Sequence, residues 1–256
     1  MRSICISIAI LLLFIFAAPA GAQGSRPLVV VLDPGHGGPY IGAASTDGSE
    51  VEKILTLRVA KLAGKDLRNM GYRVFLTRTR DQAVNTPPRD VNHDGMIDQS
   101  DDEVARAIFA NKHHADVFVS IHFDGAAGAP QTHGTHGYYC PARPFWRKSR
   151  RLADLLTSHI SNDLTRSGYR SPNNGVQTDV ADIVPQKWAN YPWFVVLGPS
   201  RPHEVIGSQM PGALIESLYL SSPRDVAALR HQRTIVALAR GYADGIRAYF
   251  HGHTSS

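Results

Sequence analysis

The residues of this chain with the most chemistry to offer are two histidines and two glutamates, each set beside a run of apolar residues. His36 follows Val29-Val30-Val31-Leu32 within Asp33-Pro34-Gly35-His36-Gly37-Gly38, and Glu52 opens a stretch of helical periodicity. His122 follows Val117-Phe118-Val119-Ser120-Ile121, and Glu216 closes Ala213-Leu214-Ile215. Two imidazoles and one carboxylate, with a fourth position open, form a donor set for a catalytic divalent metal such as zinc. A structural zinc would want four protein donors, usually including cysteine, and the chain has only Cys5 and Cys140. A further carboxylate beside such a set can take a proton from water and return it to a leaving group, the role open to Glu216. Spacing alone leaves the plain structural alternatives standing. A histidine after a strand can simply be hydrogen-bonded, and Glu216 can be an ordinary ion-paired or capping side chain.

A second constellation lies in a polar insertion at 86–101. Asp90, Asn92, Asp94, Met96, Asp98 and Asp101 fall at positions one, three, five, seven, nine and twelve of a twelve-residue stretch, with Gly95 at six. That is the pattern of a calcium loop, in which hard oxygen ligands surround the ion and the glycine permits the sharp turn. Asp stands where the final Glu is usual, and Pro87-Pro88 precede it in place of an entering helix. A solvated turn rich in Asp and Asn has the same composition.

The elements that must position these groups follow from periodicity. Leu28–Leu32 reads as a buried strand, Glu52 to about Met70 as a helix with Leu55, Val59, Leu62 and Ala63 inward, and Tyr72–Thr77 as a second strand. This βαβ unit predicts a parallel pair with a right-handed crossover. Asp101 or Asp102 is expected to cap a helix running to about His113, followed by a strand, Val117–Ile121, that ends on His122. Tyr138 and Tyr139 are expected in a short edge strand, and Phe145 to Ser167 in a helix buried through Leu152, Leu155, Leu156 and Ile160. From Gly168 to Gln209 the signals are mixed, and only Phe194–Leu197 reads as a strand. Segments of this length are either functional or disordered when they lack structure. Packing beside the sheet through Trp188, Trp193 and Phe194 is the reading preferred to gating of the site. Ala213–Glu216 is a short strand, and Ser222-Pro223 starts helix in pieces to about Phe250. The fold class expected is therefore α/β: a single domain with a mixed, mostly parallel twisted sheet flanked by helices.

Composition agrees with one globular domain: 43% hydrophobic and 19% charged residues over 256. Residues 1–22 read as a secretory signal, with Arg2 before an apolar run from Ile4 to Ala18 and Ala20-Gly21-Ala22 as the cleavage site. Residues 23–27 then form a linker and 28–256 the domain. Removal of the signal takes Cys5 with it, so no internal disulfide and no stable membrane insertion are expected in the mature chain. A formal charge of +5 suits an anionic partner such as cell wall, and the absence of a basic run interleaved with aromatics argues against nucleic acid. His113 and His114 read as cations at a helix end, His133 and His136 as residues that could line the cleft, and Tyr191-Pro192-Trp193-Phe194 as buried aromatics.

Asp33-Pro34-Gly35-His36-Gly37-Gly38, Glu52-Lys53 opening a helix, Ser120-Ile121-His122 and Ala213-Leu214-Ile215-Glu216 together resemble the zinc-dependent N-acetylmuramoyl-L-alanine amidases, over about Leu28 to Phe250 and in that family's order. The resemblance implies that His36, Glu52 and His122 bind zinc and that Glu216 is the catalytic carboxylate. It implies hydrolysis, in the periplasm or cell wall, of the amide joining N-acetylmuramic acid to L-alanine in peptidoglycan. It identifies no protein activator. Departures fall beside the ligands: Pro39-Tyr40 where the family has Asp, His122-Phe123-Asp124 for His-Ala-Asn, and Ser217-Leu218 for Gly-Phe. They concern substrate contacts. Alternatives with the same residues are a zinc peptidase cutting the stem peptide and a catalytically silent wall-binding module.

Overall fold

The computed structural model describes residues 26–126, 128–180, 191–202 and 204–252. The secretory-signal reading of residues 1–22 and the packing assigned to Trp188 fall outside them. Six strands form one sheet: β1 (Val29–Pro34), β2 (Arg73–Leu76), β3 (Val117–Asp124), β4 (Thr135–Tyr139), β5 (Asn173–Thr178) and β6 (Gly212–Tyr219), in spatial order β2-β1-β3-β6-β4-β5. β2, β1, β3 and β6 run parallel, and β4 lies antiparallel to β6. The mixed, mostly parallel sheet is as expected.

β1 is apolar on both of its faces because both faces are covered. Val30 and Leu32 meet Leu55, Leu156, Ile160, Leu238 and Tyr242 from α1 (Glu52–Asn69), α3 (Trp146–Arg166) and α5 (Gln232–His251). Val29 and Val31 meet Phe118, Leu214, Val196 and Leu197 on the other face, below α2 (Gln99–Lys112). The short α4 (Pro223–Leu229) starts at Ser222, whose hydroxyl accepts from the Asp225 amide.

Five expectations need correction. β3 runs past His122 to Asp124 and β6 past Glu216 to Tyr219, so both side chains sit inside strands and not at their ends. The Tyr138–Tyr139 strand is not an edge, because β5 pairs outside it; Asn173–Thr178 is too polar to announce a strand by alternation. The helix cap is Asp98, whose carboxylate accepts from the Ser100 amide while Asp101 reaches back to complete a capping box. Phe194–Leu197 is a turn closed by Gly198 N donating to Phe194 O at 2.8 Å, although Phe194 does pack beside the sheet against Tyr138. The mixed segment from Gly168 thus contributes a strand and a packed turn.

A buried ion pair ties three of these elements together. Arg106 on α2 donates to Asp33 at 2.8 Å and to Asp102 at 2.6 Å, and Asp33 also accepts from Thr77 and Ser120 at 2.6 and 2.7 Å. Burial alone would raise the Asp33 pKa, but the Arg106 charge and the two hydroxyls outweigh it and hold the carboxyl below its usual range. Removing one partner of such a pair strands the other. Arg106→Leu should therefore cost about 3–5 kcal/mol in urea unfolding. Because the folded pKa is depressed, this part of the stability is present above the unfolded Asp value of about 3.9 and is lost as pH falls through the folded value. Acid unfolding of Asp33→Asn should lack that component.

Candidate active site

The turn after β1 brings His36 to the carboxyl end of the sheet, where open α/β sheets bind ligands. His36 holds a left-handed backbone, φ 59°, and its carbonyl accepts from Arg106 at 2.8 Å. Arg78 grips the same turn, donating to the carbonyls of Pro34 at 2.9 Å and Gly35 at 2.8 Å. Burial pushes the Arg78 pKa down to about 10, which leaves it cationic at neutral pH. Two glycines are dictated by close approach. A Cβ on Gly35 would stand 2.3 Å from the His122 ring, and one on Gly42 would stand 2.3 Å from Glu52 Oε2.

Glu52 is 3% exposed and sits at the start of α1, where the helix dipole favours a carboxylate. Its Oε2 lies 3.1 Å from His36 Nε2 and accepts from Ala43 N at 2.7 Å. Its Oε1 lies 2.9 Å from His122 Nδ1 and accepts from Phe123 N at 3.1 Å. Burial would raise the carboxyl's pKa, but hydrogen bonding to the two imidazoles holds it well below the usual range. Burial likewise pushes the His122 pKa down, leaving a neutral ring. A deprotonated carboxylate beside a neutral imidazole is the protonation state that metal binding needs. The ligand atoms of His36, Glu52 and His122 lie within 4.8 Å of one another, and they are the one such group of His, Cys, Asp or Glu among the described residues.

Glu216 stands beside this group by register. It is paired across the sheet with His122 on β3 and with His136 on β4, so the three side chains form a row on one face. An irregularity follows at once: Asp124 pairs with Tyr219, so β6 carries one residue more than β3 there. Such bulges re-aim side chains beside active sites. Beyond Glu216 the row opens into a polar groove of about 630 Å³ lined by His133, His136, Asn174, Gln177 and Tyr219 among others. His133 and His136 thus line a cleft as expected. Sequence reasoning did not find Arg78, Arg106, Tyr138 or Tyr219. The last two bond to the His136 ring, at 2.9 and 3.1 Å.

The acidic loop is arranged differently. Asp90 accepts from the amides of Asp94 and Gly95, while Asp101 accepts from those of Val91, Asn92 and Asp98. Its carboxylates do not come together in threes within 4.8 Å. Cys140 is a free, buried thiol whose pKa burial pushes up to about 12. His113 stacks on Phe75 at 4.0 Å, and Tyr191, buried as expected, packs edge-on to Trp193, which with Phe194 is only half-buried.

Comparison with known proteins identifies the family. The probable cell wall amidase LytH of Staphylococcus epidermidis is 29% identical over 234 residues, covering 88% of this chain and 60% of its own length. The N-acetylmuramoyl-L-alanine amidase AmiA of Salmonella typhimurium is 30% identical over 252 residues, covering 89% of this chain and 78% of its own. The chain thus spans about 60% of the length of the LytH relative. In fold it is similar to the crystal structure of an N-acetylmuramoyl-L-alanine amidase from Clostridium difficile 630, with a TM-score of 0.67, 24% identity and coverage of 90% and 100% of the two chains. The family model described as N-acetylmuramoyl-L-alanine amidase matches residues 30–248, which include all four motifs, and the chain therefore belongs to that family.

Proposed function

We propose that this chain is a secreted, zinc-dependent amidase that hydrolyses the bond between N-acetylmuramic acid and L-alanine in peptidoglycan. The observation that carries the reading is the His36–Glu52–His122 group at metal spacing with Glu216 beside it in register. His36, Glu52 and His122 would hold the zinc. When bound, zinc supplies a Lewis acid that polarises the amide carbonyl and makes water more acidic. Glu216 takes a proton from the water that attacks the carbonyl carbon and returns it to the alanine nitrogen as the C–N bond breaks. The leaving amine must then lie on the Glu216 flank, and the groove lined by His133, Asn174 and Gln177 is on that flank, placed to take the stem peptide. Arg78 and Arg106, both buried, position the His36 turn.

His36→Ala or His122→Ala should lose both zinc, measured by metal analysis, and hydrolysis of muropeptides. Full activity in a zinc-free variant would refute the assignment. Glu216→Gln should keep its zinc and lose about a hundredfold to ten-thousandfold in turnover. Loss of zinc in that variant would make Glu216 a ligand instead. Amidase products are whole stem peptides beginning with L-alanine, whereas cuts within the stem would identify a peptidase.

We also propose that the Asp90–Asp101 turn takes calcium for stability, a reading supported by its ligand spacing. Calcium should raise the melting temperature, and joint Asp90→Ala and Asp94→Ala substitution should abolish the rise without changing zinc content. Identical melting with calcium and with a calcium-selective chelator would refute it.

A further inference from the structure

The sheet gives the molecule two ends of opposite electrical character. At one, β1 and β3 finish, and His36, His122 and the acidic 90–101 turn gather there. At the other, β1 and β6 begin, α1, α2 and α5 finish and α3 starts. Gly212 N donates to Ser149 Oγ at 3.2 Å, Arg151 donates to Tyr249 O at 2.9 Å, and the Tyr72 and Phe250 rings meet at 5.6 Å, so these ends are neighbours.

This second end is strongly basic. Residues 143–151 hold five cations and no acid, and Lys65, Arg73 and Lys112 join them from α1, β2 and α2, against the carboxylates of Asp66, Asp116 and Asp244, the last two of which are met by Arg26 and Arg247. Arg147, Lys148 and Arg150 are exposed, and among the described residues only Arg150 of the three faces a carboxylate, Asp154 at 3.8 Å. Their place is unfavourable for the helix itself. α1, α2 and α4 carry acids in their first turns, whereas α3, like α5, carries none and presents cations there. The same end carries exposed apolar side chains: Leu28 before β1 and Met70 after α1 are 37% and 41% exposed, and half-buried Trp146, stacked on Tyr139, lies 4.6 Å below the Arg147 guanidinium.

We propose that this end rests peripherally on an anionic phospholipid surface and leaves the metal-site end facing away from it. Lys and Arg beside an anionic leaflet are attracted to its headgroups, while small apolar and aromatic side chains among them enter the interface. A soluble polyanion would be matched by the cations but would give Leu28, Met70 and Trp146 nothing to do. Among the described residues no helix is long and apolar enough to cross a membrane, so the contact is with the surface. It holds whether or not the chain is an amidase.

The test is co-sedimentation of the full chain with vesicles of 30% phosphatidylglycerol in phosphatidylcholine and with vesicles of phosphatidylcholine alone. The ratio of the two affinities cancels whatever the apolar run at residues 4–18 contributes. Each cation at the surface is worth roughly fivefold. Joint Arg147→Gln, Lys148→Gln and Arg150→Gln substitution should therefore lower the ratio about a hundredfold, with circular dichroism and zinc content as controls for folding. Raising the salt to about 1 M, where screening acts within roughly 3 Å, should lower it as well. A ratio near one for wild type, an unchanged ratio in the triple variant, or capture by polyphosphate with none by the anionic vesicles would each overturn the proposal.

Discussion

The site depends on the grip that two buried arginines keep on the turn after β1. Arg106 and Arg78 between them bind the carbonyls of Pro34, Gly35 and His36, three successive residues, and only the Gly35 carbonyl has a further donor, the Thr56 hydroxyl at 2.9 Å, among the described residues. A buried carbonyl without a donor costs about 1–3 kcal/mol, so the arginines make an irregular turn tolerable inside the protein. Their own charges need partners, and Asp33 and Asp102 supply them for Arg106. Breaking any of these contacts would loosen the left-handed residue that aims one imidazole. The same contacts fasten α2 to the first strand, and the position of His36 is therefore coupled to the packing of a helix that contributes no side chain to the metal group.

Parallel strands explain why the other groups meet there. β1, β3 and β6 finish at one end of the sheet, and His36, His122 and Glu216 come from these three strands or the turn after them. Glu52 joins because the β1–α1 connection returns to that same end before the helix starts. The row of His122, Glu216 and His136 runs across three strands spaced about 4.8 Å apart, which places the Glu216 carboxylate between the His36–Glu52–His122 group and the groove. Register fixes this order. A slip of one residue in β6 would turn Glu216 to the opposite face.

Much of this was legible in the sequence because the informative residues are local. Val29–Leu32 announces a strand covered on both faces, and the glycines around His36 announce a sharp turn. Glu52 begins a periodic helix, and the four motifs stand in the order of one family. The strand ends were misjudged because β3 and β6 continue through His122-Phe123-Asp124 and Ser217-Leu218-Tyr219, where polar residues interrupt the apolar run yet the ladder persists. β5 was missed because Asn173-Asn174-Gly175 has turn composition, and its pairing comes from β4 rather than from its own propensity. Arg78 and Arg106 were missed for a related reason. Asp102 lies only four residues before Arg106, but the Asp33 carboxylate and the turn carbonyls that the two arginines reach are 43 to 73 residues away, and no local pattern marks a cation that will be buried.

Glu52 shows how the fold prepares the group before any ion enters. Holding a carboxylate at 3% exposure between two rings is unfavourable unless its charge is met, and here it is met four times. The amides of Ala43 and Phe123 each donate to one oxygen, and His36 and His122 each approach one. The two backbone donors come from the β1–α1 connection and from β3, so the carboxylate is fixed by main chain on both sides and cannot rotate without breaking one of them. The geometry of the His36–Glu52–His122 group is thus a property of the turn, the helix start and the third strand.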